Sequence, residues 1–498
     1  MLRYLAQEQE ADDEMTEDDS DDYKRICCDC VKEAYLAREI GRDGQPGECS
    51  YCNQALACIP VEKLADHIET AFADHYVRTS NQPDSWQERA LADPESTYEW
   101  EREGQPVLEA IQEAASIPGE AATDVLEILD NRHGDFEAAA IGEETEFSSD
   151  TYYEEKGASA QGWHNEWHSF EQSLKTDARF FSRSAAELLG RVFGLIDSLK
   201  TTKPRHHLVV DAGPGRTISQ LFRARVFQSD ERLEEALCRP DLHLGSPPAR
   251  LASAGRMNAR GISVFYGATN AGVALAEVRP PVGSKVVVAK FSIIRPLRLL
   301  DLTALDDVQD GGSIFDTTLK GRLERVAFLR TLGERMTRPV MPDDEAFDYL
   351  ATQAIADFLA TENEPRLDGI IFGSVQAKAG RNVALFHKGA RVEQMPFPDG
   401  TEITAHTGYD TDDGWDIDYG VWEEVPKPNA PAPPEDDGGS FGFMPQPHEP
   451  YRADGDCREP ALRVHVGSVE VHHVKWVKVT TACFAVSRHR HEKWDLKL

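Results

Sequence analysis

The period of the apolar positions changes once along the chain, near residue 205. Before that point apolar residues recur every three to four positions, the spacing that puts them on one face of a helix. VEKLADHIETAFADHYV (61–77), QPVLEAIQEAASI (105–117) and GEAATDVLEILDNRHGD (119–135) follow this rule and keep acidic outer faces, with Gly134 as the stop of the third. The most regular case is SAAELLGRVFGLIDSL (184–199), where Ala185, Leu188, Leu189, Val192, Phe193, Ile196 and Leu199 form one stripe, and Ser184 with Glu187 fits a capping box. After residue 205 short β-rich runs take over: GISVFYGA (261–268), SKVVVAKFSI (284–293), RPLRLLDL (295–302), DGIIFGSV (368–375) and NVALFHKG (382–389). Helical stretches such as NAGVALAEV and DYLATQAIADFLA separate them. The expectation is an α+β chain whose front part is helical. The alternation in LRVHVGSVEVHHVKWVKVTTACFAV (462–486) predicts two strands that complete the preceding domain.

Composition narrows this picture. A chain of 498 residues, 40% hydrophobic, is long enough for more than one core. Its formal net charge of -34 argues against a nucleic-acid backbone as the main partner, because phosphate binding needs a basic face. No run of 18 apolar residues occurs and the first residues lack the pattern of a signal peptide, so we expect a soluble, cytoplasmic protein without membrane contact. Residues 1–22 end in DEMTEDDSDD, too charged and too poor in apolar residues to fold, and read as a disordered tail. The Pro/Gly-rich acidic segment within 425–455 reads as a linker or loop.

Two features carry chemistry. Six of the nine cysteines fall between residues 27 and 58. The pairs Cys27-x2-Cys30 and Cys49-x2-Cys52 have the spacing of a four-thiolate zinc site, although a redox CxxC or buried thiols used as small hydrophobes would share it. Four protein ligands leave no open position, so a zinc ion there is structural. Cys28 and Cys58 read as core thiols. The second feature is GRMNARGISVFYGATNAGVALAEVRP (255–280), where arginines bracket a tyrosine and a glutamate in an otherwise acidic chain. Arginine forks fit phosphate oxygens, an aromatic ring packs on a sugar or base, and a carboxylate favours a developing cation.

LFRARVF (221–227), the 255–280 stretch and DGIIFGSV with NVALFHKG resemble the successive signatures of the RES domain, over roughly residues 205–424 plus the final strands. The front half resembles the HEPN/RES N-terminal domain. This resemblance implies an ADP-ribosyltransferase-like fold and a toxin of toxin–antitoxin type that consumes NAD, with an antitoxin protein as a possible partner. Together with spacing and periodicity it divides the chain into a zinc module (23–59), a helical HEPN-like module (60–200), a RES catalytic domain (205–424) and closing strands (456–498). Carried over by position, it places the family arginine on Arg223, with Arg225 two residues away as the competing choice. The second arginine falls on Arg256, the tyrosine on Tyr266, the glutamate on Glu277 and the serine on Ser374. On this reading Arg223 and Arg256 hold phosphates, Tyr266 fixes the nicotinamide ribose, Glu277 stabilises the cationic transition state and Ser374 anchors a phosphate. The family's Arg-Trp-Asn reads here Arg256-Met257-Asn258. The implied reaction is attack of phosphate or water on the nicotinamide ribose of NAD. ADP-ribosyl transfer to a protein stays open, as does a non-catalytic nucleotide sensor that signals through the helical module. Arg381 and His387 mimic the Arg–His spacing of HEPN ribonucleases but lie outside the helical module.

Overall fold

The computed structural model describes residues 23–135, 143–177, 179–203, 206–338, 340–341, 343–412, 414–426 and 456–490. The acidic start (1–22) and most of the Pro/Gly-rich segment (427–455) lie outside the described residues. Two compact units result, residues 1–165 with 309–328, and residues 166–308 with 329–498.

In the first unit, Ala55–Pro60 is the central strand of an antiparallel sheet, between Arg25–Cys27 and Gln45–Glu48. The helix Val61–His75 follows directly and buries Val61, Leu64, Ala65, Ile68, Ala71, Phe72 and His75, the face its apolar spacing dictates. Helices Val107–Ala115 and Gly119–His133 add Ile111, Val125 and Leu129 to the same core. The third helix ends at Gly134, as its sequence requires. Periodicity did not reveal a small sheet made of Tyr76–Arg78, Gln105–Pro106 and Tyr152–Glu155. Strands this short show no alternation, and tertiary contacts make them: Tyr76 stacks on Phe72 at 4.4 Å between ring centres, and Tyr153 meets the same ring edge-on at 5.1 Å.

The second unit is built on one eight-stranded sheet. Its strands run in the order Leu462–His473, Lys285–Ile293, Gln220–Phe227, Phe265–Ala268, Arg381–Leu385, Gly369–Gly373, Leu297–Asp301 and Val209–Ala212. Neighbours are antiparallel except Leu297–Asp301 and Gly369–Gly373, which are parallel and need the long connection that carries helices Leu319–Thr337 and Glu345–Thr361. Phe265, Val287, Phe291, Leu299, Ile371 and Val383 form the main core on this sheet. Mixed helix and strand thus agree with the α+β expectation.

Three expectations shift. The helical module expected over 60–200 is divided at residue 165, because the stripe of helix Arg183–Phe193 packs against Glu345–Thr361 in the second unit. That helix is capped by Ser182, which accepts from Ala185 N at 3.2 Å, and not by Ser184. The final stretch forms one strand, Leu462–His473, rather than two; residues 474–490 have no regular structure. Among the described residues no helix is long and apolar enough to cross a membrane.

Candidate active site and metal centre

A cavity of about 300 Å3 opens in the second unit, with Phe222, Arg223, Tyr266, Glu277, Phe372 and Asn382 in its walls. Glu277 is the last residue of helix Ala271–Glu277, whose start is capped by Asn270 accepting from Val273 N at 2.9 Å. A carboxylate at a helix C-terminus is disfavoured by about 0.3–1 kcal/mol. Two donors offset this: Ser374 Oγ at 2.5 Å and Asn382 Nδ2 at 2.8 Å both give their hydrogens to Glu277 Oε1. Hydrogen bonds to charged groups contribute about 1.5–3 kcal/mol each, so the pair outweighs the dipole. Only Oε1 is used by these two donors.

Ser374 is fully committed by this arrangement. Besides donating to Glu277, its Oγ accepts from Gln376 N at 3.1 Å and Ala377 N at 3.0 Å, which exhausts one donor and two lone pairs. The turn it organises returns at Gly380, where an added Cβ would lie 2.6 Å from Val273 of the Glu277 helix. The contacts of Ser374 in this structure are thus to Glu277 and to its own turn, where the resemblance implies a phosphate contact. Asn382 was missed by sequence reasoning. It is buried inside the strand Arg381–Leu385, and asparagine is depleted in strands, which was the available signal.

The 255–258 loop explains why its residue types recur together. Tyr266 Oη donates to Asn258 Oδ1 at 3.0 Å and accepts from Met257 N at 2.9 Å, while Asn258 Nδ2 binds the carbonyls of Ser253, Ala259 and Ile262. A Cβ on residue 255 would stand 2.8 Å from Asn258 Oδ1 and 2.9 Å from Tyr266 Oη, so the loop requires Gly255. Burial pushes the Tyr266 hydroxyl up to about 12, which keeps it neutral at physiological pH. Met257, at the position of the family tryptophan, is a core residue and does not line the cavity.

The arginines separate. Arg223 stacks over the Phe265 ring at 4.9 Å, and its Nη1 is shut off from solvent without a hydrogen-bond partner. Burial, and then the charge of Arg225, lowers Arg223 to about 10, so it remains a cation at neutral pH. Arg225 reaches the carbonyl of His243 and lines a different cavity. Arg256 is also elsewhere: its guanidinium donates to the carbonyls of Met336 at 2.9 Å and Arg338 at 2.8 Å and stacks on Tyr349, beside a separate cavity of about 380 Å3. Of Arg223, its competitor Arg225 and Arg256, Arg223 alone lines the cavity with Tyr266 and Glu277. Arg381 faces Asp301 at 3.6 Å and His387 faces Ser263 O at 3.2 Å, so each has its own structural contact.

In the first unit, the Sγ atoms of Cys27, Cys30, Cys49 and Cys52 lie within 4.8 Å of one another. Cys27 and Cys52 are 3.6 Å apart and Cys30 and Cys49 3.8 Å, with all four free of disulfides. Four sulfurs bound tetrahedrally at about 2.3 Å stand roughly 3.8 Å from each other, so this set fits a tetrahedral metal. The turn after Cys49 closes through Asn53, which has φ 58° and donates from its N–H to Cys49 O at 2.9 Å. Burial pushes the Cys27 thiol up to about 11, whereas backbone N–H groups of the two turns hold Cys49 down at about 7, so the cluster already favours one thiolate and a cation would draw out the rest. Cys58 gives its thiol hydrogen to backbone carbonyls, in keeping with a core role.

Two family models match the chain. One, described as the RES domain, covers residues 225–408, beginning two residues beyond Arg223. The other, HEPN/RES N-terminal domain 1, covers residues 42–187, beginning between the two CxxC pairs. No curated protein and no solved structure matches.

Proposed function

Because the chain carries a RES domain joined to a HEPN/RES N-terminal domain, we propose that it is a toxin-type enzyme that breaks the nicotinamide–ribose bond of NAD and passes the ADP-ribosyl group to phosphate or water. The observation that carries this reading is one cavity that joins Arg223, half-buried with its Nη1 shut off and unpartnered, to a carboxylate fixed through a single oxygen. A cation drawn out of water is costly unless it is paired, so Arg223 asks for an anion, and the pyrophosphate of NAD supplies one. The eight-stranded sheet then serves as the ADP-ribosyltransferase-like scaffold that the sequence resemblance implies.

In the proposed reaction the bond from the anomeric carbon to the nicotinamide nitrogen breaks, and its electron pair neutralises the departing ring. Positive charge develops on the ribose. Glu277, held by Ser374 and Asn382 through Oε1, turns Oε2 toward that charge and stabilises the transition state more than the neutral ground-state ribose. The Tyr266 ring fixes the ribose, and its hydroxyl ties the ring to the 255–258 loop. An oxygen of phosphate, or of water with loss of a proton, then bonds to the anomeric carbon. Arg256, committed to two backbone carbonyls, holds the loop rather than a phosphate.

Cys27, Cys30, Cys49 and Cys52 would hold one structural zinc ion, which when bound cross-links the two CxxC turns. Product analysis tests the reaction. ADP-ribose 1-phosphate formed only with phosphate present identifies phosphorolysis, free ADP-ribose identifies hydrolysis, and label retained on a protein identifies transfer. NAD that binds and stays intact would instead make the chain a nucleotide sensor and overturn the enzymatic reading.

A further inference from the structure

Two exposed surfaces of the second unit carry the same kind of apolar residue and opposite charge. The first is the chain after the sheet's last strand. Val474 is still tied to the sheet, exchanging backbone hydrogen bonds with Gly283 and Ser284, but every residue from 475 to 490 is exposed. Trp476, Val477, Val479, Phe484 and Val486 lie bare among Lys475, Lys478, Arg488 and Arg490, with no acidic residue in the stretch. Phe484 and Val486 are 84% and 91% accessible, values that leave almost no contact with their own molecule. The β-branched and aromatic content of WVKVTTACFAV suits a strand, and among the described residues it pairs with none.

The second surface is the antiparallel pair Glu402–His406 and Gly420–Glu424 with its tip, Tyr409–Thr411 and Gly414–Asp416. Here Tyr409, Trp415, Ile417 and Trp422 are exposed among Asp410, Asp412, Asp416, Asp418, Glu423 and Glu424, and residues 409–425 contain no lysine or arginine. Exposed apolar side chains set among charge favour an interaction site, and opposite charge selects the partner. The apolar residues of both surfaces stay exposed, although Tyr419 Oη and His473 Nε2, at the feet of both, are only 2.6 Å apart.

We infer that residues 475–490 of one copy dock on the acidic hairpin 402–424 of a second copy, and that the exchange is reciprocal. Each chain then contributes both halves of the contact, as two-fold symmetry requires, and the contact is made twice per dimer. An extended segment of this length reaches about 50 Å, enough to cross to a neighbouring molecule. The inference is independent of the reaction proposed above.

Light scattering on the full chain after size exclusion tests it. At micromolar concentration the wild type should have twice the 55.4 kDa mass of one chain. Lys475→Glu/Lys478→Glu/Arg488→Glu, which makes the tail acidic, should be monomeric, and so should Asp410→Lys/Asp412→Lys/Glu424→Lys, which makes the hairpin basic. Mixing the two variants should restore the double mass, because acidic tail then meets basic hairpin and basic tail meets acidic hairpin. Recovery on mixing also shows that both variants are folded. A monomeric wild type would overturn the inference, whether the tail folds onto its own hairpin or onto another class of partner. So would a dimer that survives both charge reversals, or variants that stay monomeric when mixed.

Discussion

Glu277 stands at the end of its helix that favours cations, and its neighbours decide whether it can act. Asn382 is the more informative of its two donors because nothing in the Arg-Glu-Ser signature includes it. Asn382→Ala removes one hydrogen bond to a charged group, about 1.5–3 kcal/mol, so kcat for NAD should fall by about 10- to 100-fold with KM little changed. A loss confined to thermal stability would contradict a positioning role. Arg223→Ala acts on the other term: a phosphate contact exists in both ground and transition states, so calorimetry should show NAD binding weakened by about 10- to 100-fold. Unchanged affinity would remove Arg223 from the site. At this scale the structure places Glu277 and Tyr266 on one cavity and Ser374 against Glu277, positions that the resemblance also picked out. The choice of Arg223 over Arg225 was not legible in the sequence, because only the fold sends Arg225 to the His243 carbonyl. Asn382 escaped for a related reason: its contact with Glu277 spans 105 residues of sequence.

Among the elements, the cysteine turns make the sharpest prediction. Tyr51, in the second turn, donates to Asp124 on helix Gly119–His133 at 2.7 Å, and Lys24, beside the first, pairs with the same carboxylate at 2.7 Å. Disorder in the turns should therefore reach the helical core. The purified full chain should contain about one zinc per molecule, and removing it with a chelator should lower the first unit's melting temperature while NAD turnover by the second unit persists. Metal analysis finding no zinc would refute the assignment. The four-cysteine cluster was readable from spacing alone because short turns fix CxxC geometry locally. Long amphipathic helices were readable for the same reason, since one face must be buried. The strands Tyr76–Arg78 and Tyr152–Glu155 were not, because they owe their form to Phe72 and its aromatic neighbours rather than to their own pattern. The second expected C-terminal strand has the right composition but no strand partner among the described residues.

For the molecule as a whole, the net charge of -34 pointed away from nucleic acid but said nothing of Arg223, which lines the cavity with its Nη1 shut off. The helical module expected over 60–200 illustrates the limit of reading boundaries from texture: one amphipathic helix looks like the next, and only packing assigns 183–193 to the second unit. What unites these levels is the claim that the cavity cleaves NAD through charge placed on Glu277. Its most direct test is nicotinamide release from NAD by wild type and Glu277→Gln, with phosphate present and absent, and with folding matched by melting curves. The substitution keeps size and hydrogen bonding and removes the charge. The account predicts steady release by wild type and a kcat lower by about 100-fold or more in the variant, at nearly unchanged NAD affinity. Equal rates in the two proteins, or no nicotinamide from wild type in any condition, would contradict it.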